Sequence, residues 1–296
     1  MGLASYWIGI IFAILAGQSH YFGLIIEKTV INKLAPEAKL MKNLVRTPRW
    51  LFAIFIRFGL GSILFLLAQI YIGPAIVPGL MASGLIILTI GSIKIIREKL
   101  RLIEILAILL MIIAISLMGL SELSIEIAGV NLLESQFIFR LGLSSFILTL
   151  LGIGFQLAQK KVKNYRGILL ALLSGIMFSL SNYWVSPLIN GITQIFSGVF
   201  SLGELLLFII SSTILIIVNI FGVTKMAEAL RYGQAGNLVP IQNVPVQITP
   251  SILYFVVFLL MPPSILSVVY FAIAVMLIII CSFILGKRQA QIEEIG

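Results

Sequence analysis

The chain has 296 residues, of which 60% are hydrophobic and 10% charged, with a net charge of +9 and a mean hydropathy of +1.16. Soluble domains carry about 25% charged residues, so the composition excludes an ordinary water-soluble globule and points to a polytopic membrane protein. The Lys and Arg residues sit at the ends of apolar runs and form no separate basic block, which argues against nucleic acid as a partner.

Nine apolar stretches follow in order, at about 5–25, 50–72, 74–93, 102–120, 139–158, 167–188, 204–224, 235–258 and 264–285. Each is long enough to cross about 30 Å of hydrocarbon. The expected fold class is therefore all-α, with nine transmembrane helices. The first stretch has no positive leader and no small-residue cleavage site, and reads as a retained anchor. Six of the 20 Lys and Arg lie in 26–49, four in 94–101, four in 159–166, two in 225–231 and two at 287–288. The intervening loops carry none, so positive charge alternates with every span. The positive-inside rule then places the N-terminus outside and the C-terminus in the cytoplasm of a plasma-membrane protein. Arg57, inside the second stretch, is expected to snorkel to the cytoplasmic face. Cys281 is the sole cysteine and sits mid-span, where it forms no internal disulfide.

Two segments echo each other. GIIFAILAG, residues 9–17, matches GILLALLSG, residues 167–175, and Ala68, Tyr71, Val77 and Pro78 match Ala229, Tyr232, Val239 and Pro240. The offset spans five helices, an odd number, so related helices would cross in opposite senses. The expected organisation is a four-span repeat over 1–120, an outer loop and linking span over 121–163, a second repeat over 164–286 and a cytoplasmic tail at 287–296. Inverted repeats of this kind, with interrupted helices in matching positions, are a recurring build of secondary transporters.

The string NLVPIQNVPVQITP, residues 237–250, stands out inside the eighth stretch. Proline removes helix hydrogen bonds, and amides in hydrocarbon need partners. Pro240 and Pro245, with Pro74 and Pro78 in the matching first-half segment, are the candidate bending positions. Gln242, Asn243 and Gln247 are candidate solute contacts, with Gln18, His20 and Asn182 opposite them. Helix–helix bonding by the same amides is the other reading. Spans 1, 3, 6 and 8 are expected to line the cavity. The chain has no Asp, and none of its eleven Glu falls at the middle of an expected span. No metal site is therefore expected, and no HExxH or Walker loop implies a cofactor or an enzyme.

The order of GIIFAILAG, Glu27-Lys28, TPRW at 47–50, AQIYIGPAIVPG at 68–79 and IREKL at 96–100 resembles the drug/metabolite transporter superfamily. Within it, the chain resembles the EamA-like and nine-span NIPA-type magnesium transporter branch. Aligned from Pro74, that branch's intramembrane Glu falls on Ile63. The resemblance implies alternating-access transport of a small polar or amphipathic solute, or of Mg²⁺ or another divalent cation as the alternative. A non-transporting membrane scaffold or sensor is the reading from another class. The expected partners are the lipid bilayer and the solute or ion, and a homodimer stays open.

Overall fold

The computed structural model describes residues 3–35, 39–72, 77–123, 132–198 and 201–295, and these form helices with no strand among them. The helices in chain order are α1 (Leu3–Ile31), α2 (Leu40–Val45), α3 (Pro48–Ile54), α4 (Gly61–Ile72), α5 (Val77–Met81) and α6 (Gly84–Gly91). They continue with α7 (Leu102–Leu120), α8 (Ser135–Lys161), α9 (Arg166–Ser197), α10 (Leu202–Tyr232), α11 (Ala235–Ile252) and α12 (Ile265–Ile295). A π-helical turn, Phe55–Leu60, joins α3 to α4 into one element.

Among the described residues, eight helical stretches are long and apolar enough to cross a membrane: Tyr6–Ile31, Pro48–Ile72, Val77–Ile96, Leu102–Leu120, Ser135–Lys161, Arg166–Ile189, Leu202–Tyr232 and Ile265–Glu294. The expected span at 235–258 is not among them. Its helix, α11, is diluted by three prolines and four side-chain amides. Residues 235–242 of α11 are all buried, packed against α9 and α12. Outward-facing Phe55, Ile70, Phe139, Ile216 and Phe283 are exposed, as apolar side chains facing lipid would be.

Two sequence-based boundaries change. α1 runs on to Ile31, so Glu27 and Lys28 are buried helix residues rather than part of a loop. α9 runs to Ser197 with Pro187 inside it, which removes most of the linker expected at 189–203. α11 also differs from a broken helix: it is continuous through Pro240, Pro245 and Pro250. Its first-half counterpart is interrupted, with a turn at Ala82-Ser83 between α5 and α6. Pro78 lies in α5; Pro74 and Ala75 lie outside the described residues.

Glycines set the closest helix contacts. A Cβ on Gly17 of α1 would overlap the backbone of Met81, and one on Gly175 of α9 would overlap the carbonyl of Gln242. A Cβ on Gly9 would lie 2.8 Å from Tyr71 Cβ, and one on Gly167 3.2 Å from Tyr232 Cβ.

The turn between α10 and α11 is held at one end of the bundle. Lys28 Nζ donates to the carbonyls of Leu230 and of Gly233, the latter at 2.7 Å. A cation there complements the C-terminal end of α10. The Glu98 carboxylate accepts from the N–H groups of Ala235 (2.6 Å) and Gly236 (3.0 Å), satisfying orphan donors at the start of α11. Glu104 accepts from Asn237 Nδ2 at 2.7 Å, and Gln289 near the end of α12 accepts from Gln234 N–H at 3.2 Å.

Candidate functional site

Between the helices lies a cavity of about 180 Å³, walled by His20, Arg57, Phe58, Phe178, Ser181, Asn182, Asn219, Gln242, Asn243 and Val246. α1 contributes His20, and the π-helical turn after α3 contributes Arg57 and Phe58. Ser181 and its neighbours come from α9, Asn219 from α10, and the amides 242 and 243 from α11. The wall therefore draws on the second and seventh spans beside the expected first, sixth and eighth, and not on the expected third. In the turn at Phe55–Leu60 the widened helix sets Arg57 inward, and α5 and α6 pack against α1 at Gly17 and Gly84 instead.

Four of the six expected contacts meet here: His20, Asn182, Gln242 and Asn243. Gln18 and Gln247 are half-buried and stand outside the wall. The reason at α11 is rotational. With 3.6 residues per turn, a wall holding both 242 and 243 is continued by Val246, which turns Gln247 aside.

The amides are anchored through their NH₂ groups. Asn243 Nδ2 donates to Tyr21 Oη at 2.9 Å. Gln242 Nε2 donates to Ser174 Oγ at 2.8 Å, whose hydroxyl donates in turn to the Gly222 carbonyl at 2.7 Å. Asn219 Nδ2 donates to Ser181 Oγ and to the Leu215 carbonyl, each at 2.8 Å. Among the described residues these three amides bond only through their NH₂ groups, which leaves each carbonyl oxygen as an acceptor. Asn182 is the exposed member of the wall. His20 lies edge-on to Tyr21 (5.2 Å) and Phe58 (6.1 Å).

Arg57 is the main residue that sequence reasoning missed. It does not snorkel: its side chain is 1% exposed and its Nη1 donates to Glu27 Oε1 at 3.1 Å, with the Glu27 side chain at 0%. The guanidinium carbon lies 4.6 Å from the Phe58 ring centre and 5.8 Å from that of Phe178. Those two rings stack at 6.1 Å and present their π systems to the cation. The signal available in the sequence was an Arg seven residues inside an apolar run, where an ionisable group is a functional candidate by default. No family model, curated protein or solved structure gives a significant match to this chain.

Among the described residues, no three His, Cys, Asp or Glu side chains stand close enough to hold a metal ion. The polar wall instead combines one guanidinium, one imidazole and several amides. Leaving such an amide unbonded in an apolar setting costs about 1–3 kcal/mol, so its free carbonyl oxygens favour an occupant with hydrogen-bond donors.

Proposed function

We propose that the protein is a secondary carrier of the drug/metabolite type, which moves a small polar solute across the plasma membrane by alternating access. The observation that carries this reading is the polar cavity between the helices, with α1 and the α3–α4 element on one side and α9, α10 and α11 on the other.

Two features support nine spans in an inverted repeat. First, Gln289 at the end of α12 bonds Gln234 at the start of α11, while the link between them lies at the far end of both. α11 then runs antiparallel to α12 and crosses the same thickness, its 18 residues covering about 27 Å. Second, the echoed segments make echoed contacts. Gly9 against Tyr71 corresponds to Gly167 against Tyr232, and Gly17 against Met81 to Gly175 against Gln242. His20 and Phe178, at the same spacing as Gly17 and Gly175, both reach the cavity.

In this mechanism the two halves rock about the cavity, and the prolines of α11 ease its bending. Single cysteines at Glu134 and Asn164, in a chain with Cys281→Ser, should label from outside and from inside respectively. Labelling of both from one side would end the topology. Uptake screening in cells should find a solute whose entry or exit is lost in the Gln242→Leu/Asn243→Leu double variant. Transport unchanged in a well-expressed double variant would remove this cavity from the carrier's path.

A further inference from the structure

We propose that the cavity's occupant carries a carboxylate and that Arg57 binds it. This rests on the carrier reading above and names the substrate class of the same site.

A guanidinium offers five N–H donors in a planar fork. Arg57 makes one bond to Glu27, from Nη1 to Oε1. Its Nε and the Glu27 Oε2 have no hydrogen-bond partner among the described residues, although both are buried. The pair is therefore one-pointed, where a structural Arg–carboxylate pair is frequently bidentate. A buried, unsatisfied donor on a charged group is costly, and Arg57 reaches the cavity wall while Glu27 does not. The guanidinium lies against the rings of Phe58 and Phe178, which limit its movement. A carboxylate in the cavity supplies the planar two-oxygen acceptor that this arrangement lacks.

Size and charge narrow the class. A cavity of about 180 Å³ lies below the roughly 300–1,000 Å³ typical of drug-sized ligands, so the solute has few heavy atoms. Glu27 already balances Arg57, so a dianion such as phosphate would bring two uncompensated charges. A monocarboxylate brings one, and an amine or hydroxyl on the same solute finds acceptors in the carbonyls of Asn219, Gln242 and Asn243. The occupant is thus a small monocarboxylate bearing a donor group.

The test uses the purified full-length protein and matched pairs that differ only at the acid: lactate with lactamide, and L-alanine with L-alaninamide. The unfolding midpoint is followed against ligand concentration, since a ligand of the folded state raises it. At least one carboxylate should give a saturable rise, with its carboxamide weaker by roughly ten- to a hundredfold, the size of one charge-assisted hydrogen bond. Arg57→Lys, which keeps the charge and loses the fork, should weaken the carboxylate alone. Absence of any carboxylate response, or equal responses within each pair, overturns the proposal without need of a variant. So does carboxylate binding that is undiminished in a folded Arg57→Lys protein. Loading of liposomes separates the two readings. A neutral or cationic solute carried in an Asn243-dependent way would keep the carrier and discard the carboxylate. Binding of a carboxylate without its passage would do the reverse.

Discussion

Asn243 and Tyr21 are 222 residues apart and joined by a hydrogen bond of 2.9 Å, which ties α11 to α1 at the rim of the cavity. Tyr21 itself is buried, so the bond fixes where the amide of Asn243 stands. Tyr21→Phe removes the hydroxyl and leaves the ring. It should cost about 1 kcal/mol of stability and slow transport, because the amide is freed to turn. Asn243→Leu should abolish transport and, by leaving the buried Tyr21 hydroxyl unpaired, cost about 1–3 kcal/mol. Transport at the wild-type rate in both variants, measured in liposomes, would mean that this bond serves packing alone.

The Arg57–Glu27 pair should behave as a coupled unit. Removing one partner of a buried pair leaves an uncompensated charge and costs about 3–5 kcal/mol. Glu27→Gln and Arg57→Gln should each lower the unfolding midpoint strongly. The double variant should lose clearly less than the sum, since contacting residues do not add. A strictly additive double variant would show that the two groups do not depend on each other.

Gly17→Ala and Gly175→Ala should both be destabilising, by about 1–3 kcal/mol, as over-packing of a tight contact is. In each case a methyl group meets backbone that cannot rotate away. Gly142→Ala is the contrast, because a Cβ there meets nothing within 4 Å. Alanine in a helix interior gains about 0.5–1 kcal/mol over glycine, so this variant should be neutral or stabilised. Thermal unfolding of the three proteins side by side checks the order, and a loss at Gly142 equal to that at Gly17 would contradict it.

Glu98 lies in the link between two candidate spans, and burial pushes its carboxyl above the ordinary 4.5. The N–H groups of Gly236 and Ala235, the charge of Lys28 and the Ser92 hydroxyl oppose that shift. A raised value means that the folded protein holds the proton more tightly than the unfolded chain. The resulting stability is complete below pH 4.5 and is lost as the pH rises through the raised folded value. On acidification from neutral pH the wild type should therefore gain midpoint relative to Glu98→Gln. A relative loss would mean that the bonds to the start of α11 outweigh burial.

Composition made the membrane setting and eight of the nine expected apolar stretches legible, because hydropathy is a local property. The echo of GIIFAILAG in GILLALLSG marked the helices that later meet Tyr71 and Tyr232. Proline and amide content singled out α11, and four of the six expected contacts reach the cavity. Helical phase was read less well. Asn243 and Gln247 share a face by spacing, but the rotation of α11 against α9, set by the clash-limited approach of Gly175 to Gln242, brings Val246 to the wall instead.

Sequence alone determined that this chain is a bundle of apolar helices with a polar, proline-bearing helix near its end. The reason is that length, hydropathy and charge act residue by residue. Tertiary structure alone decided that Arg57 stays buried. An Arg near a span end can snorkel or pair, and the choice depends on whether a carboxylate waits inside the bundle. Glu27, 30 residues earlier, occupies that place only because α1 continues past the expected end of its span and packs Gly23 against Ala53 and Arg57. The cavity exists where that pair, two stacked rings and the amides of α9, α10 and α11 converge, a meeting that only helix packing brings about.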